Sequence, residues 1–324
     1  MKEYRWAVLG CGSIANEFAQ AMEFQGREIY SVANRTHEKA KTFAEKYHIK
    51  KVYDQIDDIF EDENVDIVYI ATPHNSHITY LKKALQHGKH VLCEKAITLN
   101  SSELEEAIAL AQEKKLILAE AMTIYHMPVY RELEKIIASG NLGALRLMQV
   151  NFGSFKEYDM TNRFFNRDLA GGALLDIGVY AISFARAFLS EKPEQILSQV
   201  KMAPTGVDEQ AGILLMNDRQ EVATITLSLH AKQPKRGTVV FENGYIEMYD
   251  YPRGQQAVIN YTESQEKVVI EAGETRKALV YEIEDMENAV AGEGNVMHLD
   301  YTIDVMEIMT KLRNDWKMTY PEED

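Results

Sequence analysis

The chain is short of the residues that mark secreted, membrane-spanning or nucleic-acid-binding proteins. It has two cysteines in 324 residues, Cys11 and Cys93. Both fall on or beside stretches that read as strands, so they give no disulfide framework and read as buried thiols of a reducing compartment. No apolar run approaches ~20 residues, which argues against a bilayer-crossing helix. The opening Met1-Lys-Glu-Tyr-Arg5 leads at once into a strand and leaves no room for a signal peptide, so a cytoplasmic location is expected. Basic residues are in deficit, 35 against 50 acidic, for a formal net charge of −15. Nucleic acid calls for a basic face and is not an expected partner, nor is a membrane. Charge blocks, low-complexity tracts and internal repeats are also missing. The acidic residues are spread along helical stretches as a solvated surface.

What is present is ordinary for a globular protein, with 46% hydrophobic and 26% charged residues, and the length suggests about two domains. Short Val-, Ile-, Leu- and Ala-rich runs at 4–9, 28–33, 66–72, 90–94 and 116–120 lack strict alternation, as strands covered on both faces do. Amphipathic stretches at 37–47, 76–87 and 101–114 lie between them, the last with Ser101 or Ser102 as candidate cap. This rhythm predicts an α/β domain, a doubly wound parallel sheet over residues 1–122. From 123 to 298 the texture changes to α+β with an open, mostly antiparallel sheet. It holds helices at 129–139 and 172–188, a long strand at 145–155, and a hairpin signal at Asn243-Gly244 between runs 238–242 and 245–249. A final amphipathic helix, about 299–317, is expected to pack back on the first domain.

The first strand runs straight into Gly10-x-Gly12-x-x-Ala15, and a helix follows. Gly10 permits the tight turn, Gly12 admits a pyrophosphate to the backbone amides, Ser13 and Ile14 open the helix, and Ala15 is small enough for close helix–strand packing. About 20 residues on, an Asp or Glu would bind both ribose hydroxyls and repel a 2′-phosphate. The chain reads Asn34-Arg35-Thr36 there, with no acid, and Arg35 offers charge and planar donors to a phosphate. NADP(H) is therefore favoured over NAD(H). Two further clusters close strands at the same edge. Thr72-Pro73-His74-Asn75-Ser-His77 offers polar contacts to a cofactor, Pro73 setting the turn. His74 and His77 lack the companions a metal site needs, so no metal is expected. Glu94-Lys95 places an ammonium where it can hold a substrate hydroxyl and the nicotinamide ribose, with Glu94 fixing it or touching the cofactor. In the second domain, Asp176 and Tyr180 of Gly171-Gly-Ala-Leu-Leu-Asp176-Ile-Gly178-Val-Tyr180 share a helix face. Gly178 beside them suggests close approach of a ligand or another backbone. A phenol of pKa ~10 needs help near neutrality, which an ammonium supplies. Each group also has a plain structural reading: a ligand-free turn, a surface arginine at 35, a solvated lysine at 95, a helix-start carboxylate at 176, a core tyrosine at 180.

Together, Gly-Cys-Gly-Ser-Ile-Ala, Thr-Pro-His-Asn-Ser-His, Cys-Glu-Lys and Gly-Gly-Ala-Leu-Leu-Asp-Ile-Gly-Val-Tyr resemble the glucose–fructose oxidoreductase / inositol dehydrogenase (Gfo/Idh/MocA) family over essentially the whole chain. Within it the likeness is to the dimeric dihydrodiol dehydrogenase branch, which carries Tyr at the last motif position. The resemblance implies a Rossmann domain and an open-sheet substrate domain that often forms a homodimer or higher homo-oligomer. It also implies NADP(H)-dependent hydride transfer at a hydroxyl or carbonyl carbon of a sugar, polyol or cyclic diol. By position, Lys95 is the lysine of the site, Asp176 its partner carboxylate and Tyr180 the proton-transfer residue. Two departures stand out. Ala96 replaces the usual proline after Glu-Lys, and Thr123 and Tyr125 stand where the dihydrodiol branch has Trp and Arg. The first keeps alive an inactive NADP(H)-binding sensor; the second implies a different substrate pocket. His126, Phe152, Phe155 and Arg163 are weaker pocket candidates, with core packing the first reading for both Phe residues.

Overall fold

A computed structural model describes residues 3–323 of the chain. Met1 and Lys2, where the argument against a signal peptide starts, lie outside the described residues. Contacts gather the chain into two compact units, residues 1–122 with 279–299, and residues 123–278 with 300–324.

In the first unit, strand β1 (Trp6–Leu9) is buried along its whole length. Four consecutive apolar residues need cover on both faces, which a parallel sheet between helix layers provides. Strands β2 (Ser31–Ala33), β3 (Lys51–Val52), β4 (Ile67–Ile70), β5 (His90–Glu94) and β6 (Leu118–Ala121) complete a sheet of order β3-β2-β1-β4-β5-β6. Every pairing is parallel. The order reverses between β1 and β4, and in such sheets ligands bind outside the carboxyl ends at the reversal. Helices α1 (Ser13–Phe24), α2 (His37–Lys46), α3 (Asp58–Glu61), α4 (His77–Gln86) and α5 (Ser101–Lys114) make the crossovers. Helix α1 buries Ala15, Phe18, Ala19 and Met22, the stripe that a period of 3.6 puts on one face. Asn100, not a serine, caps α5: its side chain accepts the Glu103 amide at 2.9 Å, while Glu103 accepts the Leu99 amide at 2.9 Å. The chain is extended at Asn100 and already helical at Ser101, so the serines sit one position too late. The elements β3 and α3 escape the sequence reading because two and four residues show no period.

Of the two closing helices, α8 (Ala278–Ala291) groups with this unit from Leu279 onward. Its Glu287 accepts from Trp6 Nε1 at 2.7 Å and pairs with Arg27, and its Glu284 accepts from Gln25 at 3.0 Å. The sequence reading gave that place to the last helix. That helix, α9 (Leu299–Trp316), groups from Asp300 with the second unit. There Asp304 pairs with Arg186 at 2.6 Å and Trp316 Nε1 donates to Ser198 at 2.9 Å. Both helices are amphipathic, and specific polar partners decide between them.

The second unit is built on eight strands: β7 (Leu145–Gly153), β8 (Gln195–Met202), β9 (Asp208–Met216), β10 (Val222–Ser228), β11 (Gln233–Phe241), β12 (Gly244–Tyr249), β13 (Gln256–Tyr261) and β14 (Lys267–Glu271). Their order is β14-β13-β12-β11-β7-β10-β9-β8, antiparallel except for β7 beside β10. Burial alternates, with Ala211, Ile213 and Leu215 inward on β9, as in a sheet packed on one face. The other face exposes Leu147, Leu197, Leu214, Tyr245, Tyr249 and Val269. Helix α6 (Pro128–Ala138) precedes the sheet, and α7 (Val179–Phe188), entered through a π-helical turn at Leu174–Gly178, is the core helix. The helical stretch Arg167–Phe188 does have the length and apolar character of a membrane span, contrary to the sequence reading, but it is mostly buried inside the fold. In the β11–β12 hairpin Phe241 pairs with Gly244, so the loop is Glu242-Asn243, one residue earlier than expected. Gly244 belongs to the strand because a side chain there meets the Asn260 carbonyl of β13.

Candidate active site

In the first unit the candidate residues gather at the carboxyl edge of β1, β2, β4 and β5. At Gly10 the chain turns with φ +103°, and the Gly10 amide donates to the Ala33 carbonyl at 2.9 Å. A Cβ at Gly10 would run into the Ala71 carbonyl, so only glycine fits between β1 and β4. Gly12 is the cap residue of α1, with no side chain closing that helix end and open space where its own would be. The first amides of α1 therefore face outward beside exposed Ser13 and half-exposed Ile14. Unfilled amides at a helix N-terminus suit a pyrophosphate, and these residues fit a dinucleotide. Cys11 between the glycines is half-buried, and burial pushes its thiol up to about 12, which keeps it protonated and unreactive. At the end of β2, Asn34 Nδ2 donates to the Thr36 carbonyl at 3.0 Å, closing the turn, and Arg35 and Thr36 are exposed.

Beyond β4, Pro73 is exposed and Thr72, His74 and Asn75 are half-exposed, with Ser76 Oγ bonded to Thr72 Oγ1 at 2.9 Å. His77 is different. It is completely buried, with Nε2 2.8 Å from the Thr72 carbonyl and Nδ1 3.0 Å from the Ala96 carbonyl. That placement makes it a clamp between two loops, not the cofactor contact expected from the sequence. Burial holds its pKa below the ordinary value, although the carbonyls oppose this. The loop it grips carries Lys95. The Lys95-Ala96 peptide is cis, the Lys95 carbonyl lies 3.1 Å from His74 Nε2, and the Ile97 amide donates to Glu120 Oε1 at 3.0 Å. Three consecutive residues are thus held by backbone contacts to His74, His77 and Glu120, while the half-exposed Lys95 side chain extends from the edge. Glu94 is buried and accepts from Tyr69 Oη. Sequence reasoning missed Glu120; its signal was a carboxylate inside the apolar run of β6.

In the second unit the candidate residues lie on α7 and the π-helical turn before it. Asp176 and Tyr180 are both half-buried there, and Arg163 Nη2 stands 3.6 Å from Asp176 Oδ1. The Tyr180 ring lies 6.1 Å from the buried Phe152 ring. Gly178 makes room for protein: a Cβ would meet the Leu227 side chain at 2.8 Å and Leu174 at 3.1 Å, so neither a ligand nor a backbone explains it. The helix start is pinned from two distant segments. Asp208 Oδ2 accepts the Leu174 amide at 2.7 Å, and Tyr320 Oη donates to the Gly171 carbonyl at 2.7 Å. Gly172, at φ +123°, leaves the space that Asp208 fills. Asp208 is fully buried, which raises its pKa to about 7 against the opposing pull of the Leu174 amide. No local pattern in the sequence marked Asp208 or Tyr320. Among the pocket candidates, His126 is fully buried, Phe152 is core, and Phe155 is exposed with its ring 5.3 Å from His230. The core reading of Phe155 therefore fails, because it lies beyond the end of β7. No cluster of three or more His, Cys, Asp or Glu side chains suited to a metal occurs among the described residues.

Comparison with known proteins places these features in context. Residues 4–122 match the model of an oxidoreductase family with an NAD-binding Rossmann fold, and residues 130–247 match the GFO/IDH/MocA C-terminal domain. The human trans-1,2-dihydrobenzene-1,2-diol dehydrogenase is 32% identical over 248 residues, 75% of this chain and 74% of that one. Among solved structures, the 3-ketoreductase KijD10 of Actinomadura kijaniata, in complex with NADP and TDP-benzene, superposes with a TM-score of 0.85 at 23% identity, covering 97% of this chain and 98% of that one. Levoglucosan dehydrogenase, in complex with NADH and levoglucosan, gives 0.89 at 17% identity, covering 98% of each.

The Asp208 carboxyl makes a checkable contribution to stability. Its folded-state pKa of about 7 exceeds the ~3.9 of an unfolded chain. Between those limits the folded state binds more protons, so this group's contribution falls as pH rises from about 4 to about 7. Urea unfolding of Asp208→Asn is expected to show a pH dependence with that downward component removed relative to wild type; parallel curves for the two proteins would refute the assignment.

Proposed function

The chain belongs to the GFO/IDH/MocA family of oxidoreductases, and on that premise we propose that it moves a hydride between NADP(H) and a hydroxyl or carbonyl carbon of a sugar, polyol or cyclic diol. The observation that carries the reading is the Lys95 loop, whose backbone is held by His74, His77 and Glu120 at the carboxyl end of β5, with the lysine half-exposed. When bound, the cofactor supplies the carbon that gives or takes the hydride. Amides of Gly12, Ser13 and Ile14 receive its pyrophosphate, and Asn34, Arg35 and Thr36 receive the adenine ribose and its 2′-phosphate. Thr72, Pro73, His74, Asn75, Glu94 and Lys95 border the nicotinamide half.

In the oxidative direction Tyr180 takes the hydroxyl proton as the hydride leaves the same carbon. Lys95 holds that hydroxyl and lowers the cost of the phenolate; Asp176 is the partner carboxylate of the Lys95 ammonium. Positioning and matched proton transfer supply the rate. The relatives' names favour carbohydrate-like or cyclic hydroxyl substrates, and Thr123 and Tyr125 distinguish this chain's pocket from the diol dehydrogenases'. The exposed apolar face of the second unit's sheet, with Leu197, Leu214, Tyr249 and Val269, supports a homodimer that covers it.

Two measurements test this reading. With a panel of neutral, phosphorylated and carboxylated sugars, polyols and cyclic diols and NADP+, followed by reduced-nicotinamide absorbance, Tyr180→Phe is expected to lose about 10²–10⁴-fold in kcat/KM. Unchanged turnover would remove its role, and no wild-type turnover together with tight NADPH binding would place the chain among sensors. For cofactor choice, Arg35→Ser should weaken NADPH about 10–100-fold, the worth of a charge-assisted hydrogen bond, and leave NADH binding unchanged. Equal losses for both would show that Arg35 does not read the phosphate.

A further inference from the structure

On the second unit an ammonium stands over the aromatic ring next to Tyr180 with no carboxylate among the described residues bonded to it. The chain has 50 acidic residues for 35 basic ones, so an unaccompanied ammonium is against the odds. Lys235, on β11, is half-buried with its Nζ 5.0 Å from the centre of the Phe152 ring, and Phe152 is the ring next to Tyr180. Within the described residues no ion pair or hydrogen bond engages that ammonium. Lys156 Nζ lies 4.0 Å and the Arg163 guanidinium 4.4 Å from the Phe164 ring, and Arg163 reaches Asp176.

Backbone bonds draw the two lysine-bearing segments together. Ser154 donates to the Ser228 carbonyl at 2.9 Å and Lys156 to the Leu229 carbonyl at 2.8 Å, and the His230 ring lies 3.1 Å from the Lys156 carbonyl. Burial holds the Lys235 pKa below its usual value; Asp250 opposes it, and Lys232, Arg253 and Lys156 add to it. Aromatic faces compensate a partly dehydrated cation only in part, and mutual repulsion adds to the cost. A bound anion removes both penalties at once.

Resting on the reading of Tyr180 as the proton-transfer residue, we propose that Lys235 and Lys156 form an anion subsite, and that the substrate is a hydroxy compound bearing a phosphate or carboxylate group. Neutral sugars and diols would then be poor substrates. The anionic group seats on the lysines, and the reacting hydroxyl is presented to Tyr180 at a fixed distance from it.

Calorimetric titration of the NADPH-loaded protein at low ionic strength tests this with inositol against inositol monophosphate, glucose against glucuronate, and inorganic phosphate alone. The charged member of at least one pair should bind about 10–100-fold more tightly, the range for charge-assisted hydrogen bonds. That preference should vanish in Lys156→Gln/Lys235→Gln and persist in Lys235→Arg. Which pair responds distinguishes phosphate from carboxylate. Equal affinity for charged and neutral members in both pairs, or a preference untouched in the double variant, overturns the proposal. Tyr180→Phe should keep the anion preference, so a failed proton-transfer role and a failed anion subsite give different results.

Discussion

Burial of the parallel sheet on both faces is the constraint from which the rest follows. With β1, β4 and β5 enclosed, no polar group on those strands can do chemistry along their length, and function is displaced to the loops at their carboxyl ends. Those loops then have peptide groups that must be satisfied without helix or sheet. Gly10 solves the problem by close approach, its amide bonded to the Ala33 carbonyl while its missing side chain admits the Ala71 carbonyl. The loop after β5 solves it with side chains, two imidazoles and a carboxylate around residues 95–97. Lys95 is held in place by residues that have no chemistry of their own.

The second unit applies the same solution to a helix. Its sheet is covered on one face only, and α7 lies on the covered side, where Gly178 packs against Leu227. The turn that enters the helix is fixed by Asp208 from the start of β9 and Tyr320 near the chain's end. In each unit, buried side chains in contact with backbone hold the segment that carries the proposed site residue. A buried acid raised to about 7 stands there because one of its oxygens accepts the Leu174 amide at the start of the turn.

Much of this was legible in the sequence, because it is written in local patterns. The glycine spacing after an apolar run, the alternation of short strands and amphipathic helices, the lysine at a strand's end and the Asp176–Tyr180 spacing all lie within a few residues of one another. What escaped depends on partners far along the chain. His77 read as a cofactor ligand because a histidine at a strand's end usually faces outward, and its clamp on Ala96 is a tertiary fact. Glu120, Asp208 and Tyr320 have local surroundings that say nothing of the loops they hold. Gly178 looked like an opening for a ligand until Leu227 was seen to fill it. The choice between α8 and α9 turned on Glu287 and Asp304, two acids among fifty.

The proposed reaction requires Lys95, from the first unit, and Tyr180, from the second, to act on one substrate beside one dinucleotide. A crystal structure of the protein with NADP+ bound tests it most directly. The pyrophosphate should lie against the amides of residues 12–14, with the ammonium of Lys95 and the phenol of Tyr180 both within reach of a hydroxyl placed over the nicotinamide. A dinucleotide bound away from those amides, or a nicotinamide approached by one of the two groups and not the other, would contradict the account.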